Sequence, residues 1–108
     1  MVRHVFLLSF QPSTPAEAVD RLAAELRALP ERVEEIRRYE VIADLGLQAG
    51  NAGLLLVADF ASFADYETYR DHPEHLKLID EFVKPISAGF SRLQFEPDGS
   101  GLGSPTPG

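Results

Sequence analysis

The sequence predicts an α+β domain in which two helices cover one face of a four-stranded antiparallel sheet. Apolar residues alternate with a period of two in four segments, as in strands, and recur every three or four residues between them, as in helices. These segments follow the order β-α-β-β-α-β, which is that of a ferredoxin-like split βαβ unit. With 108 residues, of which 44% are hydrophobic, the chain can form one domain with a substantial core.

The first half of the chain contains a strand and a helix. Residues 2–10 alternate between two faces that are both largely apolar. Thr14, Pro15 and Glu17 predict a helix start with a capping box. The helix ends at Pro30, because the residue before a proline is disfavoured in the helical conformation. Its apolar stripe consists of Val19, Leu22, Leu26 and Leu29.

The second half contains three strands and one interrupted helix. Residues 37–44 and 54–60 predict strands joined by a glycine-rich connection, and residues 90–96 predict the last strand. Ser62 predicts a helix start, and Pro73 a renewed start after an interruption. The apolar stripe of this helix consists of Leu76, Ile79, Val83 and Ile86, with Phe82 beside it.

These elements define one domain over residues 1–96. The last twelve residues, 97–108, contain four Gly, three Pro and two Ser. Such a composition cannot offset the entropy lost on ordering the chain, so we expect a flexible tail.

The sheet face opposite the helices is expected to be apolar. The first strand offers Val5 and Leu7 to it. The third strand offers either Leu55 and Val57 or the alternate set Leu54, Leu56 and Ala58. A sheet with one face in water would alternate cleanly, and so large an apolar patch is unusual on a monomer. The pattern predicts a homodimer that packs sheet on sheet, with coverage by the tail or long loops as the alternative.

Composition excludes several classes of function. Ten Lys and Arg against 17 Asp and Glu give a net charge of -7, which argues against nucleic acid and anionic membranes as partners. The absence of Cys excludes disulfides and thiolate chemistry. The apolar run at residues 5–8 is too short for a signal peptide or a membrane span, so we expect a cytoplasmic protein.

Candidate chemistry lies in the segment from Tyr69 to His75, Tyr-Arg-Asp-His-Pro-Glu-His. Histidine is the side chain best suited to proton exchange near neutral pH. His75 falls in the first turn of the renewed helix, where imidazolium is disfavoured, and Tyr69 could contribute a phenol. His4 could line the same cavity if its strand face packs on the helices. Each residue also has a purely structural interpretation. His75 could be a helix cap, Tyr69 a core aromatic and His4 a residue at the strand rim.

A pocket between sheet and helices would have mainly apolar walls. The predicted ligand-binding residues are Phe6, Leu8, Leu22, Leu26, His72, Ile79 and Phe82. No metal site is predicted, because Pro73 disrupts the helical face that His72 and His75 would share and no third ligand is evident. We expect no cofactor, since the glycine motifs that bind dinucleotides or phosphates are absent.

Together these segments resemble the stress-responsive A/B barrel (Dabb) family, over about residues 2–96. The segments are Arg3-His4-Val5-Phe6-Leu7-Leu8, Leu29-Pro30, Val57-Ala58-Asp59-Phe60 and Tyr69-x-x-His72-Pro73-x-His75. The resemblance implies a ferredoxin-like protomer and a homodimer whose sheets form a dimeric α/β barrel. That wider group includes cofactor-free monooxygenases and muconolactone isomerases.

The resemblance also implies roles for single residues. A plant polyketide cyclase of this family performs an aldol-type condensation without a cofactor, with the second motif histidine as general base and the motif tyrosine assisting it. By position these are His75 and Tyr69, and His4 lies at the pocket. The chain departs from the family at Leu54, where the cyclase has a histidine, and at residues 52–53, where many members have Tyr-Asp.

Three functions follow from these patterns. The preferred one is a homodimeric domain of unestablished activity that binds a small hydrophobic ligand. The second is a cofactor-free cyclase or lyase-like enzyme, in which His75 removes a proton next to a carbonyl and Tyr69 hydrogen-bonds the oxyanion. The third is a cofactor-free monooxygenase.

Overall fold

A computed structural model describes residues 1–97 as a four-stranded antiparallel sheet with three helices. The elements are β1 (Val2–Phe10), α1 (Ala16–Ala28), β2 (Arg38–Ala43), β3 (Leu54–Phe60), α2 (Phe63–Asp71), α3 (Pro73–Leu78) and β4 (Ser87–Phe95). The strand order β2-β3-β1-β4 confirms the predicted ferredoxin-like fold. Apart from Pro97, the predicted tail lies outside the described residues. Within residues 1–97, every helix is too short or too polar to cross a membrane.

The strand register decides which residues face the helices. His4 of the central strand β1 pairs with Ala58 of β3 on one side and with Gln94 of β4 on the other. Because alternate residues share a face, the remaining positions follow from these pairs. The helix-facing side carries His4, Phe6 and Leu8 of β1, Tyr39, Val41 and Ala43 of β2, Leu54, Leu56 and Ala58 of β3, and Phe90, Arg92 and Gln94 of β4.

The core lies between this side of the sheet and the helices. Leu22, Leu26 and Leu29 of the first predicted stripe are buried in it, and Val19 is half-buried. Leu29 belongs to a 3₁₀ turn, Leu29–Glu31, which continues α1 even though Leu29 precedes a proline. The helix therefore tightens before it ends rather than stopping at that position.

The opposite face of the sheet, here called the open face, is apolar over most of its width. Leu55 and Val57 lie on it, which resolves the two alternatives for β3. Its exposed apolar side chains include Leu7, Ile42, Leu93 and Phe95. No helix covers this face within residues 1–97.

One end of the open face is charged. The guanidinium of Arg3 donates to both carboxylate oxygens of Asp59, at 2.7 and 2.9 Å. Arg38 lies 3.9 Å from the same carboxylate and also pairs with Glu40. The Arg3 hydrogen bonds hold the pKa of Asp59 below its usual value. Two cations and two anions thus balance within this cluster.

The start of α1 differs from the prediction. The helix begins at Ala16 after an extended Pro15, and no side chain caps it. Thr14 therefore lies one residue too far from the first free N–H groups, and Glu17 closes no capping box. The predicted cap of α2 is confirmed, because the Asp65 N–H donates to Ser62 Oγ at 3.2 Å.

The second apolar stripe changes phase within α3. Leu76, predicted to be buried, is 49% exposed, whereas Leu78 is 4% exposed. A π-helical turn, Ile79–Val83, follows α3, and the Lys84 N–H bonds to the Ile79 carbonyl five residues back. The wider turn places Leu78 and Val83, five residues apart, on the same buried face.

Replacing Leu78 should therefore cost more stability than replacing Leu76. We expect Leu78→Ala to lower the free energy of unfolding by about 2–4 kcal/mol, because it empties a filled core position. Leu76→Ala should lower it by less than about 1 kcal/mol, because this side chain is half in solvent. Urea denaturation measures both values, and equal losses would show that the π-helical turn does not set the phase.

Candidate functional site

Tyr69 of α2, His75 of α3 and His4 of β1 lie together between the sheet and the helices. The ring centroids of Tyr69 and His75 are 4.2 Å apart, and those of His4 and Tyr69 are 6.2 Å apart. Tyr69 and His4 are buried, and His75 is half-buried. The structure thus brings together the three residues that the sequence nominated for proton transfer.

The interruption at His72 accounts for the position of His75. Pro73 disfavours a helical conformation at the residue before it, and His72 is extended. Proline also has no N–H to bond the carbonyl of Tyr69, four residues back. The Glu74 N–H, which a continuous helix would direct to Arg70, instead donates to His72 Nδ1 at 3.1 Å. His72 therefore acts as the cap of α3.

The carbonyl of Arg70, left without that helical partner, binds the imidazole of His75. His75 Nδ1 lies 2.9 Å from the Arg70 oxygen, and a carbonyl only accepts, so Nδ1 carries a proton. Burial lowers the pKa of His75, although this hydrogen bond partly opposes the shift. The imidazole is neutral near pH 7 because of this burial, whereas the sequence argument rested on the helix N-terminus, and its lone pair is on Nε2.

His4 is held in the opposite tautomer. Its Nδ1 lies 2.9 Å from the amide nitrogen of Gln94, which can only donate, so Nδ1 accepts and Nε2 carries the proton. Burial, followed by repulsion from the protonated form of His75 and from Arg92, lowers the pKa of His4 to about 4. His4 is therefore a neutral hydrogen-bond donor.

Both Nε2 atoms reach accessible space. Neither has a hydrogen-bond partner among residues 1–97. Every fully buried side-chain nitrogen or oxygen in this range has a partner, so neither Nε2 atom is fully buried. A molecule bound between sheet and helices could accept a hydrogen bond from His4 and give a proton to His75. This combination suits a carbonyl compound with an acidic C–H bond.

Tyr39 of β2 joins the site, and it is not among the residues that the sequence predicted there. Its hydroxyl lies 2.9 Å from that of Tyr69. Burial raises the pKa of both phenols, so both remain protonated near neutral pH. Tyr39 pairs in register with Ala58, as does His4. Only this register places Tyr39 beside Ala58 and near His4, so no local sequence signal identifies it.

Two further aromatic rings enclose the site. Tyr66 lies 5.0 Å from His4, and Phe60 lies 5.0 Å from Tyr69, as centroid distances. Gln94, also missed from the sequence, donates to the Tyr66 hydroxyl at 3.4 Å. Only the strand register identifies Gln94, because it is 90 residues from His4 in the chain.

The seven predicted ligand-binding residues differ in their surroundings. Leu8, Leu22 and Leu26 are buried core residues, and Phe6 and Ile79 are half-buried at the edge of the core. Phe82 borders a groove of about 260 Å³ with mostly charged walls, and His72 caps α3. Within residues 1–97, no three His, Asp or Glu side chains lie close enough to hold a metal ion.

Comparisons with known proteins agree with this architecture. The family model described as Stress Responsive A/B Barrel Domain (Dabb) matches residues 2–96. The chain is similar to a dimeric ferredoxin-like protein of unknown function from Thermobifida fusca, with 31% identity and a TM-score of 0.78 over 87% of this chain and 88% of that chain. No curated protein matches the chain.

Two more distant structures share the fold. A Dabb family protein from Mesorhizobium loti is 17% identical, with a TM-score of 0.75 over 89% of this chain and 95% of that chain. A hydroxynitrile lyase from Passiflora edulis is 21% identical, with a TM-score of 0.76 over 87% of this chain and 90% of that chain. At these identities the likeness concerns the fold alone.

Acid should destabilise the protein through His4. Its pKa is about 4 in the folded chain against 6.5 ordinarily, so the unfolded chain takes up the proton first as pH falls below 6.5. We expect the free energy of unfolding to fall by roughly 2–3 kcal/mol from this residue between pH 6.5 and pH 4.

Denaturation of the wild type and of His4→Gln at both pH values measures this loss. The variant cannot titrate at this position, so its stability should fall by correspondingly less. The same fall in both proteins would place the acid sensitivity elsewhere.

Proposed function

The chain belongs to the stress responsive A/B barrel domain (Dabb) family, and we propose that it is a homodimer that binds a small, largely apolar carbonyl compound between its sheet and helices. The observation that carries this proposal is the pair of neutral imidazoles with opposite tautomers beside Tyr69. One imidazole offers a proton and the other accepts one.

The open face supports the dimer. Its apolar side chains continue into a groove of about 410 Å³ bordered by Leu7, Ile42, Leu45 and Leu55. Leu45 and Leu47, in the connection between β2 and β3, are 84% and 83% exposed. A second copy would remove this surface from water, and the relative from Thermobifida fusca is described as dimeric.

The buried cluster supports the ligand site. The rings of Tyr66 and Tyr69 contact the two imidazoles. Phe60 and Tyr39 in turn pack against Tyr69, and the Tyr39 hydroxyl pairs with that of Tyr69. Their surroundings are apolar, so hydrogen bonds formed there meet little competition from water. The half-buried Phe6 is the predicted ligand contact that adjoins this region on β1.

The tautomer of His75 favours catalysis as a second candidate function. Nε2 would take a proton from the carbon next to the ligand carbonyl, the C–H bond would break, and its electron pair would move to the carbonyl oxygen as an enolate. If Tyr39 donates to Tyr69, the Tyr69 proton is free to bond this oxygen. The imidazolium would then return the proton to a carbon or oxygen of the product.

Three further proposals rest on the sequence alone. They are the cofactor-free monooxygenase, a cytoplasmic location and the exclusion of nucleic acid, which rests on the net charge of -7.

Charge placed on the open face should dissociate the dimer. Leu93 is 56% exposed on the open face, and Leu76 is 49% exposed on α3. We expect the wild type to sediment as a dimer at micromolar concentration and Leu93→Glu as a monomer, because the interface would have to bury the carboxylate. Leu76→Glu, the matched control, should remain dimeric. A monomeric wild type, or equal behaviour of the variants, would contradict the proposal.

Acetophenone is a suitable neutral probe of the ligand site. Its titration should shift the imidazole proton resonances of His4 and His75 to saturation, because its ring is apolar and its oxygen can accept from His4. His75→Ala should weaken binding, and Lys77→Ala, an exposed position on the same helix, should not. Saturation without perturbation of either histidine would place the ligand elsewhere.

The same probe separates binding from catalysis. In D₂O, a base acting at Nε2 of His75 would exchange the methyl protons of acetophenone for deuterium faster than buffer does. Tyr69→Phe should slow this exchange by about tenfold to a hundredfold, and His75→Ala should abolish it. Binding without exchange would support the ligand-binding function and exclude catalysis by His75.

A further inference from the structure

The helices leave the helix-facing side of β4 open. On the neighbouring strand, His4 and Leu8 are at most 5% exposed, whereas every residue from 88 to 95 is exposed. The register places helix-facing pairs side by side: Phe90 with Leu8, Arg92 with Phe6, and Gln94 with His4. We call Phe90, Arg92 and Gln94 the β4 ledge. It leads from solvent to His4.

The outer part of the β4 ledge is aromatic. Phe90 is 56% exposed, and its ring lies 5.5 Å from that of Phe6 across the strand pair. An apolar ring or chain could lie on these two faces with part of its surface removed from water.

The same ledge carries an unneutralised positive charge. The Arg92 guanidinium lies 5.4 Å above the ring of Phe90 and forms no ion pair among residues 1–97. Its charge reaches His4 and contributes to the lowered pKa of that imidazole. A guanidinium stacked in this way keeps its N–H fork free for a planar anion.

The inner end of the ledge offers two neutral donors beside the side-chain carbonyl of Gln94. The Gln94 amide nitrogen donates to His4 Nδ1 at 2.9 Å and to the Tyr66 hydroxyl at 3.4 Å. His4 Nε2–H and the Tyr66 hydroxyl proton therefore remain to be donated, and Arg92 can only donate. One cation and two neutral donors along the ledge match a ligand with acceptor oxygens and one negative charge.

We propose that the ligand of this site carries a carboxylate, which Arg92 binds at the β4 ledge while the apolar body lies on Phe6 and Phe90 and points to His4. A carboxylate fits the guanidinium fork through two parallel hydrogen bonds. This inference rests on the proposed function and narrows the small apolar ligand to an aromatic or alicyclic carboxylic acid.

The test compares 4-acetylbenzoate with 4-acetylbenzamide, a neutral molecule of nearly the same shape. By isothermal titration calorimetry at pH 7.5, the wild type should bind the acid about tenfold more tightly than the amide. Arg92→Gln should remove this preference with little effect on the amide, and Arg92→Lys should keep part of it because the charge remains.

Arg21→Gln is the matched control. The Arg21 guanidinium also lies 5.4 Å above a phenylalanine ring, that of Phe82, but it is on α1. This variant removes the same charge and the same kind of ring contact, and it should leave the preference for the acid intact. An equal loss in both arginine variants would reduce the effect to net charge and overturn the inference.

Two other outcomes separate this inference from the proposed function. If the acid and the amide bind equally, and both lose affinity in His75→Ala, the ligand site stands and the carboxylate assignment is wrong. If neither compound nor acetophenone binds the wild type, both proposals are wrong.

Discussion

The break between α2 and α3 is the constraint on which the candidate site depends. Pro73 provides no N–H for the Tyr69 carbonyl, and His72 Nδ1 takes the N–H that would have served Arg70. The Arg70 carbonyl then binds His75 Nδ1, which fixes both the position of the ring and its tautomer. In a continuous helix the Glu74 N–H would bond the Arg70 carbonyl. His75 would then lack the hydrogen bond that holds its ring against Tyr69.

The same requirement, that buried polar groups find partners, determines the rest of the cluster. Gln94 fixes His4 in the other tautomer, and the hydroxyls of Tyr39 and Tyr69 share one hydrogen bond. In these apolar surroundings each polar group has few other hydrogen-bond partners, so these bonds hold it in place. Within residues 1–97, the two Nε2 atoms and the Tyr66 hydroxyl proton remain without a partner, so the cluster keeps groups that can bind a ligand.

Local patterns predicted most of the fold, and non-local contacts account for what was missed. The four strands and the interrupted helix follow from hydrophobic periods and from Pro73, which act within a few residues. Leu76 was assigned to the core because a constant helical period cannot anticipate a π-helical turn. Gln94 and Tyr39 are recognisable only once the register places them beside His4 and Ala58.

The two faces of β1 explain how a chain of 108 residues can serve two purposes. One face carries His4 against the helices, and the other carries Leu7 on the open face. Within residues 1–97, three short helices cover β2, β3 and β1 but not β4, so this part of the chain does not enclose its own sheet. The uncovered helix-facing side of β4 lies beside His4, and the opposite face of the sheet is the surface on which we propose that a second copy packs. Both surfaces are uncovered because the helices form a single layer that is narrower than the sheet. The side chains of β4 suit a small ligand, and those of the open face suit a second copy.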